Sequence, residues 1–572
     1  MAEVVGTVIG VVGFFGQMFD GCVKAYGYFS MATQMDTESQ RLMCKVRIEE
    51  MRLVVWGREW GVAEGKLDAH LDVEKNPQLR ALATQILQEL HSTVTDFRKL
   101  QERYGLVDAN AVDGEGSGGS RSSNTSRANS ISSSVGALPE KGKKATEKLG
   151  LKTEKSWKKD ATLRAKWVIK DKEKFQKLLR DLKDFNDGLE NLFPPSQLPS
   201  IHRAWTNRLL DSAERDLAQL SLLENASSGI YPQLNASANL KKLRINLDSK
   251  PQSAFKPTFA LKVPRAALEL STPDPTCATT GIVSGRCHAR HELVGDVVVE
   301  WVHYDADEFE ERFAHVKRLD DLAKMMHSAS SSHPDLHSID CVGYTDDKVN
   351  GRYGLVYNAP APSFSTLHAL ISSSDLKTPD LDERIKLAKT LAVSLWSLHS
   401  LDWLHKSLCA SNILFFPSAF SSAAQSSTAS AALVPDISSP FLSGFDASRP
   451  DLDIALSVVP KNPSILDLHR HPDSRRGTTP YCKSFDIYSL GLVLLEIGLW
   501  KVLQTYHKPH YSAERWRDKV VLAVLVPGLG SKAGRRYRDV VEKCLKVGPD
   551  VTSSDAGNLM EEVVTALESI RV

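Results

Sequence analysis

The chain has 572 residues, too many for one hydrophobic core, so two or more domains are expected. Hydrophobic residues at 42% and charged residues at 25% suit a soluble globular protein, and a net charge of +1 excludes whole-molecule attraction to nucleic acid or an anionic membrane. The eight cysteines are scattered, without a CxxC pair or a His/Cys cluster at ligand spacing, so free thiols in a reducing compartment and no metal site are expected.

No leader is expected at the start, where Glu3 stands and no basic n-region or cleavage-like motif follows. From Val4 to Phe19 the chain carries no charge: VVGTVIGVVGFFGQMF. As a helix this stretch would span about 24 Å, short of the ~30 Å hydrocarbon core of a bilayer. Gly6, Gly10, Gly13 and Gly16 recur every three or four residues along one stripe, and Gly6 with Gly10 makes a GxxxG. Two readings stand. The segment is a buried N-terminal helix of a bundle, or it leaves the bundle and enters a membrane. For the second reading the inserting residues are Val4, Val5, Gly6, Ile9, Gly10, Gly13, Phe14 and Phe15.

Helical patterning continues to about residue 224. Leu79, Leu82, Ile86, Leu90, Val94 and Phe97 recur at three- or four-residue steps, as do Phe175, Leu178, Leu182, Phe185, Leu189 and Leu192. Pro194 and Pro195 end the second stripe, and another amphipathic stretch runs from Ile201 to Leu223. No strand-like alternation interrupts this half, which reads as an all-α bundle. Residues 114–136 are dominated by Gly and Ser and form a flexible loop within it. Residues 141–177 are rich in Lys and Arg, giving either a solvated helix face or a contact with anionic lipid. Nucleic acid is not an expected partner, because no reading motif accompanies the charge.

Residues 226–275, rich in Pro, Ser and Asn, read as a linker. After Cys277 the texture changes: strand-like runs at 297–302 and 353–357 precede helical stretches at 382–400, 484–500 and 535–546. A Ser/Ala-rich tract at 417–431 reads as a surface insertion.

The first half resembles the fungal HeLo domain, a helical effector domain of heterokaryon incompatibility and prion-controlled cell death. The likeness rests on VVGFFGQMFDGCVKAYGYF, EEMRLVVWGREWG, LQERYGLV, the basic middle and DLKDFNDGLENLFP, over roughly residues 1–225. It implies self-association and insertion of the N-terminal segment into a membrane, making it leaky.

The second half, 276–572, resembles a bilobal α+β protein-kinase domain. The likeness lies in YGLVYNAPAPSFSTLHALI, RIKLAKTLAVSLWSLHSLDWLHKSLCASNILFF and SFDIYSLGLVLLEIGLW. By that resemblance His405, Lys406 and Ser407 stand at the catalytic triplet, with Ser407 where the catalytic Asp belongs. Gly444, Phe445 and Asp446 stand at the metal-binding triplet, with Gly444 in place of its Asp. Glu300 takes the place of the strand lysine, and no GxGxxG is present. Asn412 remains of the metal-binding set, and Asp486 stands where a buried helix carboxylate braces the catalytic-loop backbone.

A serine cannot accept a proton usefully near neutral pH, and a glutamate would repel phosphate. The resemblance therefore implies a pseudokinase without enzymatic activity. No cofactor is expected, with nucleotide binding in the pocket left open. The whole reads as a cytoplasmic effector that moves to the plasma membrane when an unidentified sensor or partner releases it. A non-lytic scaffold and an atypical active kinase are the alternatives.

Overall fold

The computed structural model describes residues 14–29, 36–62, 64–67, 71, 77–108, 167–248, 260–270, 285–303, 309–417, 434–445, 449–450, 468–476 and 479–571. Two compact units divide between Ile201 and His202, upstream of the expected end at 225.

The first unit contains α1 (Phe14–Phe29), α2 (Thr37–Glu59), α3 (Pro77–Thr95), the short α4 (Phe97–Glu102) and α5 (Lys172–Glu190). Helix α1 packs on α2 and α3, and α5 packs on the same two. Each helix buries one stripe: Phe15, Cys22, Ala25 and Tyr26 from α1, and Phe175, Leu178, Leu182 and Leu189 from α5. Asp171 starts α5 by accepting from the Lys174 N–H, and Asp96 starts α4 by accepting from Arg98 and Lys99. At Gly57 an added Cβ would lie 2.1 Å from Phe19 Cζ, so only glycine lets the Phe19 ring lie against α2.

Two details depart from the sequence reading. The buried stripe of α3 is Ala83, Leu87, Leu90 and Val94, while Leu82 is 48% and Phe97 54% exposed. The stripe expected at 79, 82 and 86 is rotated by one position, because Ala83 counts as core here although it is small. The half is also not purely α: β1 (Leu106–Asp108) pairs antiparallel with β2 (Trp167–Ile169).

The second unit takes in the end of α6 (Leu198–Ser212), then α7 (Leu217–Ser227) and α8 (Pro232–Asp248). Helix α8 lies inside the stretch 226–275 expected to be a linker. An antiparallel sheet follows, of order β3-β4-β5-β7-β6, from β3 (Leu268–Leu270), β4 (Arg286–His291), β5 (Gly295–His303), β6 (Cys341–Asp347) and β7 (Arg352–Asn358). Its core joins Val263, Leu268, Ala289, Val297, Val299, Trp301 and Val356. Helix α9 (Phe309–Ser332) lies against β6 and β7, and β5 is buried on both faces from Val297 to Trp301. That burial explains why VVVEW is a continuous run and does not alternate.

The remaining elements are mostly helical: β8 (Ser365–Thr366), α10 (Leu367–Ser372), α11 (Leu381–Ser400), β9 (Trp403–Leu404), β10 (Ile413–Phe415), β11 (Phe441–Leu442), β12 (Arg449–Pro450), α12 (Pro472–Arg476) and α13 (Lys483–Leu499). They are followed by α14 (Val526–Ala533), α15 (Arg535–Leu545) and α16 (Ser553–Glu568). Helix α13 is buried from Lys483 to Gly498, the mark of a central helix that is apolar all round. It lies between α11, α14, α15 and α16 and positions the site that follows.

Candidate functional site

The segment 401–416 crosses the interior of the second unit. Two of its residues have left-handed backbone, Asp402 (φ 54) and Lys406 (φ 66), a conformation that costs a non-glycine residue about 1–2 kcal/mol. The carboxylate of Asp486, fully buried on the first turn of α13, holds it there. It accepts from the backbone N–H of His405 at 2.8 Å and of Lys406 at 2.9 Å. Tyr481 donates its hydroxyl at 2.8 Å, and the His399 imidazole lies at 3.3 Å. Burial pushes the Asp486 carboxyl up, but His399, His405 and Tyr481 outweigh it and hold the group below the usual carboxylate range. His405 is itself a core residue, its ring 4.9 Å from that of Phe445, and burial lowers its basicity.

A second charge centre lies on the other side of this segment. Cross-strand pairing sets Arg286 of β4 directly opposite Glu300 of β5, both nearly buried. The guanidinium meets the Glu300 carboxylate at 2.7 Å, the Asn412 Oδ1 at 2.5 Å and the Ser411 carbonyl at 2.9 Å. Glu300 also accepts from the Gly444 N–H at 3.1 Å and from the Tyr357 hydroxyl at 3.4 Å. The Asn412 amide donates to the Ser407 carbonyl at 2.6 Å, and the Ser407 hydroxyl donates to the Gly444 carbonyl at 3.2 Å. Gly444 has φ +82, and a Cβ there would lie 2.3 Å from Asn412 Nδ2. Glycine is therefore the residue that this geometry admits.

The structure thus brings together Glu300, Ser407, Asn412 and Gly444, with His405, Lys406 and Asp486 beside them. Asp446 lies outside the described residues, as do Val4, Val5, Gly6, Ile9, Gly10 and Gly13. Of the remaining N-terminal candidates Phe14 begins α1, and Phe15 is fully buried with Arg80 over its ring. The loop 114–136 and most of the basic stretch are also outside. At the described end of that stretch Lys172 pairs with both Asp36 and Glu38. Among the described residues no helix is long and apolar enough to cross a membrane, and no group of three or more His, Cys, Asp or Glu is set to hold a metal ion.

Arg286 was not singled out from the sequence, yet it is the partner on which the centre depends. A lone acid inside VVVEW demanded a cation on the neighbouring strand. The His291–Gly295 turn sets a register in which that cation is Arg286. The cations of α6 and α8 were missed as well, because their stretch read as the end of one domain and a linker.

In the first unit a further polar centre joins α2 to α5. Arg52, 2% exposed, meets Glu190, Glu49 and Asp187 at 2.7–3.0 Å. Asn186 donates to the Glu49 carbonyl and carboxylate, and the Trp56 indole donates to the Leu189 carbonyl at 2.8 Å. The arginine and tryptophan of MRLVVWGREW are thus the groups that fasten α2 to α5.

Comparison with known families gives two matches. Residues 6–223 match the HeLo family, described as prion-inhibition and propagation, so the N-terminal part is a HeLo domain. Residues 295–568 match a family described as a domain of unknown function, DUF7580. No curated protein matches the chain. The HeLo match continues past Ile201, so its last stretch, 202–223, belongs to the second compact unit.

Proposed function

We propose that the chain is an effector with a role in prion inhibition and cell death, in which the HeLo domain self-associates and permeabilises a membrane through its N-terminal segment. The second unit regulates it as a catalytically inert domain of protein-kinase type, and the protein is cytoplasmic until a sensor or partner releases it to the plasma membrane. The HeLo match supports the first part, and the uncharged stretch from Val4 to Phe19 supports membrane entry.

One observation carries the inert reading. Among the described residues, the groups at the positions that phosphoryl transfer would use are replaced or engaged inside the protein. Glu300 is neutralised by Arg286, both ends of the Asn412 amide are bonded, and Gly444 has no room for a metal-binding side chain. Retention of Asp486 fits an architectural use of the same segment.

The test incubates the full chain with magnesium and γ-labelled ATP. No incorporation is expected. Phosphate transfer that Asn412→Ala abolishes would overturn the inert reading and favour an active kinase.

A further inference from the structure

Seen from the second unit, the stretch 202–248 is an ordered strap. Helix α8 buries residues 234, 237, 238, 240, 241, 244 and 245, and three of these seven are polar: Ser237, Lys241 and Arg244, all fully buried. A fully buried lysine is rare and needs partners. Lys241 Nζ donates to the Leu210 carbonyl of α6 at 2.9 Å and pairs with Asp402 at 3.0 Å. Arg244 donates to the Leu401 carbonyl at 3.2 Å, and its guanidinium lies 5.3 Å from the centre of the Trp403 ring.

Ser237 meets His333 at 2.8 Å, and Gln233 with Arg203 grips Asp335. Arg208 pairs with Glu561 of α16. The strap thus meets the turn at Leu401, Asp402 and Trp403, next to His405 and Lys406, whose backbone N–H groups donate to Asp486. Lys483, three residues before Asp486, also reaches Asp402 at 3.2 Å.

The chemistry of this face is informative. A buried ion pair contributes little net stability compared with apolar residues of the same size, but removal of one partner leaves a stranded charge and is severe. Most of the strap's buried face is apolar, with Trp205, Leu209, Leu223, Leu234 and Leu240, so the charges at the turn add specificity and not bulk stability. A contact made by charge to a strained turn is one that a two-state element can switch.

We infer that residues 202–248 are a releasable latch that couples the end of the HeLo-matched stretch to the 401–406 turn, so that loosening the turn unseats the strap. The latch specifies how the regulation proposed above is transmitted and rests on that reading.

Hydrogen exchange on the full chain, without vesicles, tests it. In the wild type the amides of α7 and α8 are expected to exchange together, at least ~10-fold faster than those of α13, through an opening smaller than global unfolding. Asp402→Asn keeps the shape of the turn and removes the charge, and should speed α8 exchange a further ~10-fold, more than it speeds that of α13, whose Lys483 also pairs with Asp402. Asp486→Asn touches no strap residue and should speed α8 more than α13. The conservative Lys241→Met serves where Asp402→Asn does not fold.

Equal rates for α8 and α13 in the wild type and in each variant would overturn the latch. Exchange reads strap opening directly. A chain that never permeabilises membranes would therefore count against the effector reading and leave the latch standing.

Discussion

Replacing Asp486 with alanine tests how much the second unit relies on this carboxylate. The side chain is fully buried and serves the backbone N–H groups of His405 and Lys406, together with Tyr481 and His399. A buried donor left without an acceptor costs about 1–3 kcal/mol, so the two backbone donors together cost about 2–6 kcal/mol. Relaxation of Lys406 out of its left-handed conformation returns about 1 kcal/mol, leaving a net loss of about 3 kcal/mol. An unfolding entropy of about 2.1 cal/mol/K per residue over His202–Val572 is about 0.8 kcal/mol/K, so the melting temperature should fall by about 4 °C. Calorimetry of the full chain measures it, with Asp486→Asn, which keeps one acceptor oxygen, expected to lose about half as much. A melting temperature unchanged within about 1 °C for Asp486→Ala would refute the bracing argument.

Gly444→Asp should not create a metal site: a positive φ and a Cβ crowding Asn412 should cost about 2–4 kcal/mol. The check is a melting temperature lowered in Gly444→Asp and not raised by magnesium. In the first unit, Arg52→Met strands Glu49 and Glu190 in the core and should lower stability by about 3–5 kcal/mol, read from the urea midpoint of the helical circular-dichroism signal. Asp211 gives a pH test, because burial raises its carboxyl to about 6, with Asp402 and Glu561 adding to the rise and Lys483 and Lys241 opposing it. An unfolded aspartate ionises near 3.8, so this contribution to stability is full below that value and is lost as pH rises through about 6. The melting temperature of Asp211→Asn relative to wild type should therefore climb between pH 4 and 6.5 and then level off.

The helices of the first unit and the central helix α13 were legible in the sequence because apolar periodicity reports burial directly. The expected helices at 382–400, 484–500 and 535–546 match α11, α13 and α15 within a residue at each end. The failures have physical causes. Helix α8 carries polar residues on its buried face, so a pattern that sorts inside from outside by hydropathy took it for a linker. The α3 stripe was misplaced by one position because alanine contributes little to an apolar pattern, yet Ala83 is fully buried. The short β1–β2 ladder spans a long stretch of sequence, and no local signal announces that pairing. At the site, Glu300, Ser407, Asn412, Gly444 and Asp486 were named from the resemblance alone, whereas Arg286 required the strand register.

The central claim is that the HeLo domain acts on membranes through its first residues and that the second unit restrains it. The most direct test is dye release from anionic vesicles by the full chain and by residues 1–225, the fragment first shown to be helical by circular dichroism. The account expects release by the fragment and none by the full chain. It further expects loss of release in a folded fragment carrying Val5→Lys and Ile9→Lys, since each charge at bilayer depth costs about 2.5–3.5 kcal/mol. A helical fragment that leaves vesicles sealed, or a doubly charged variant that still releases dye, would contradict it.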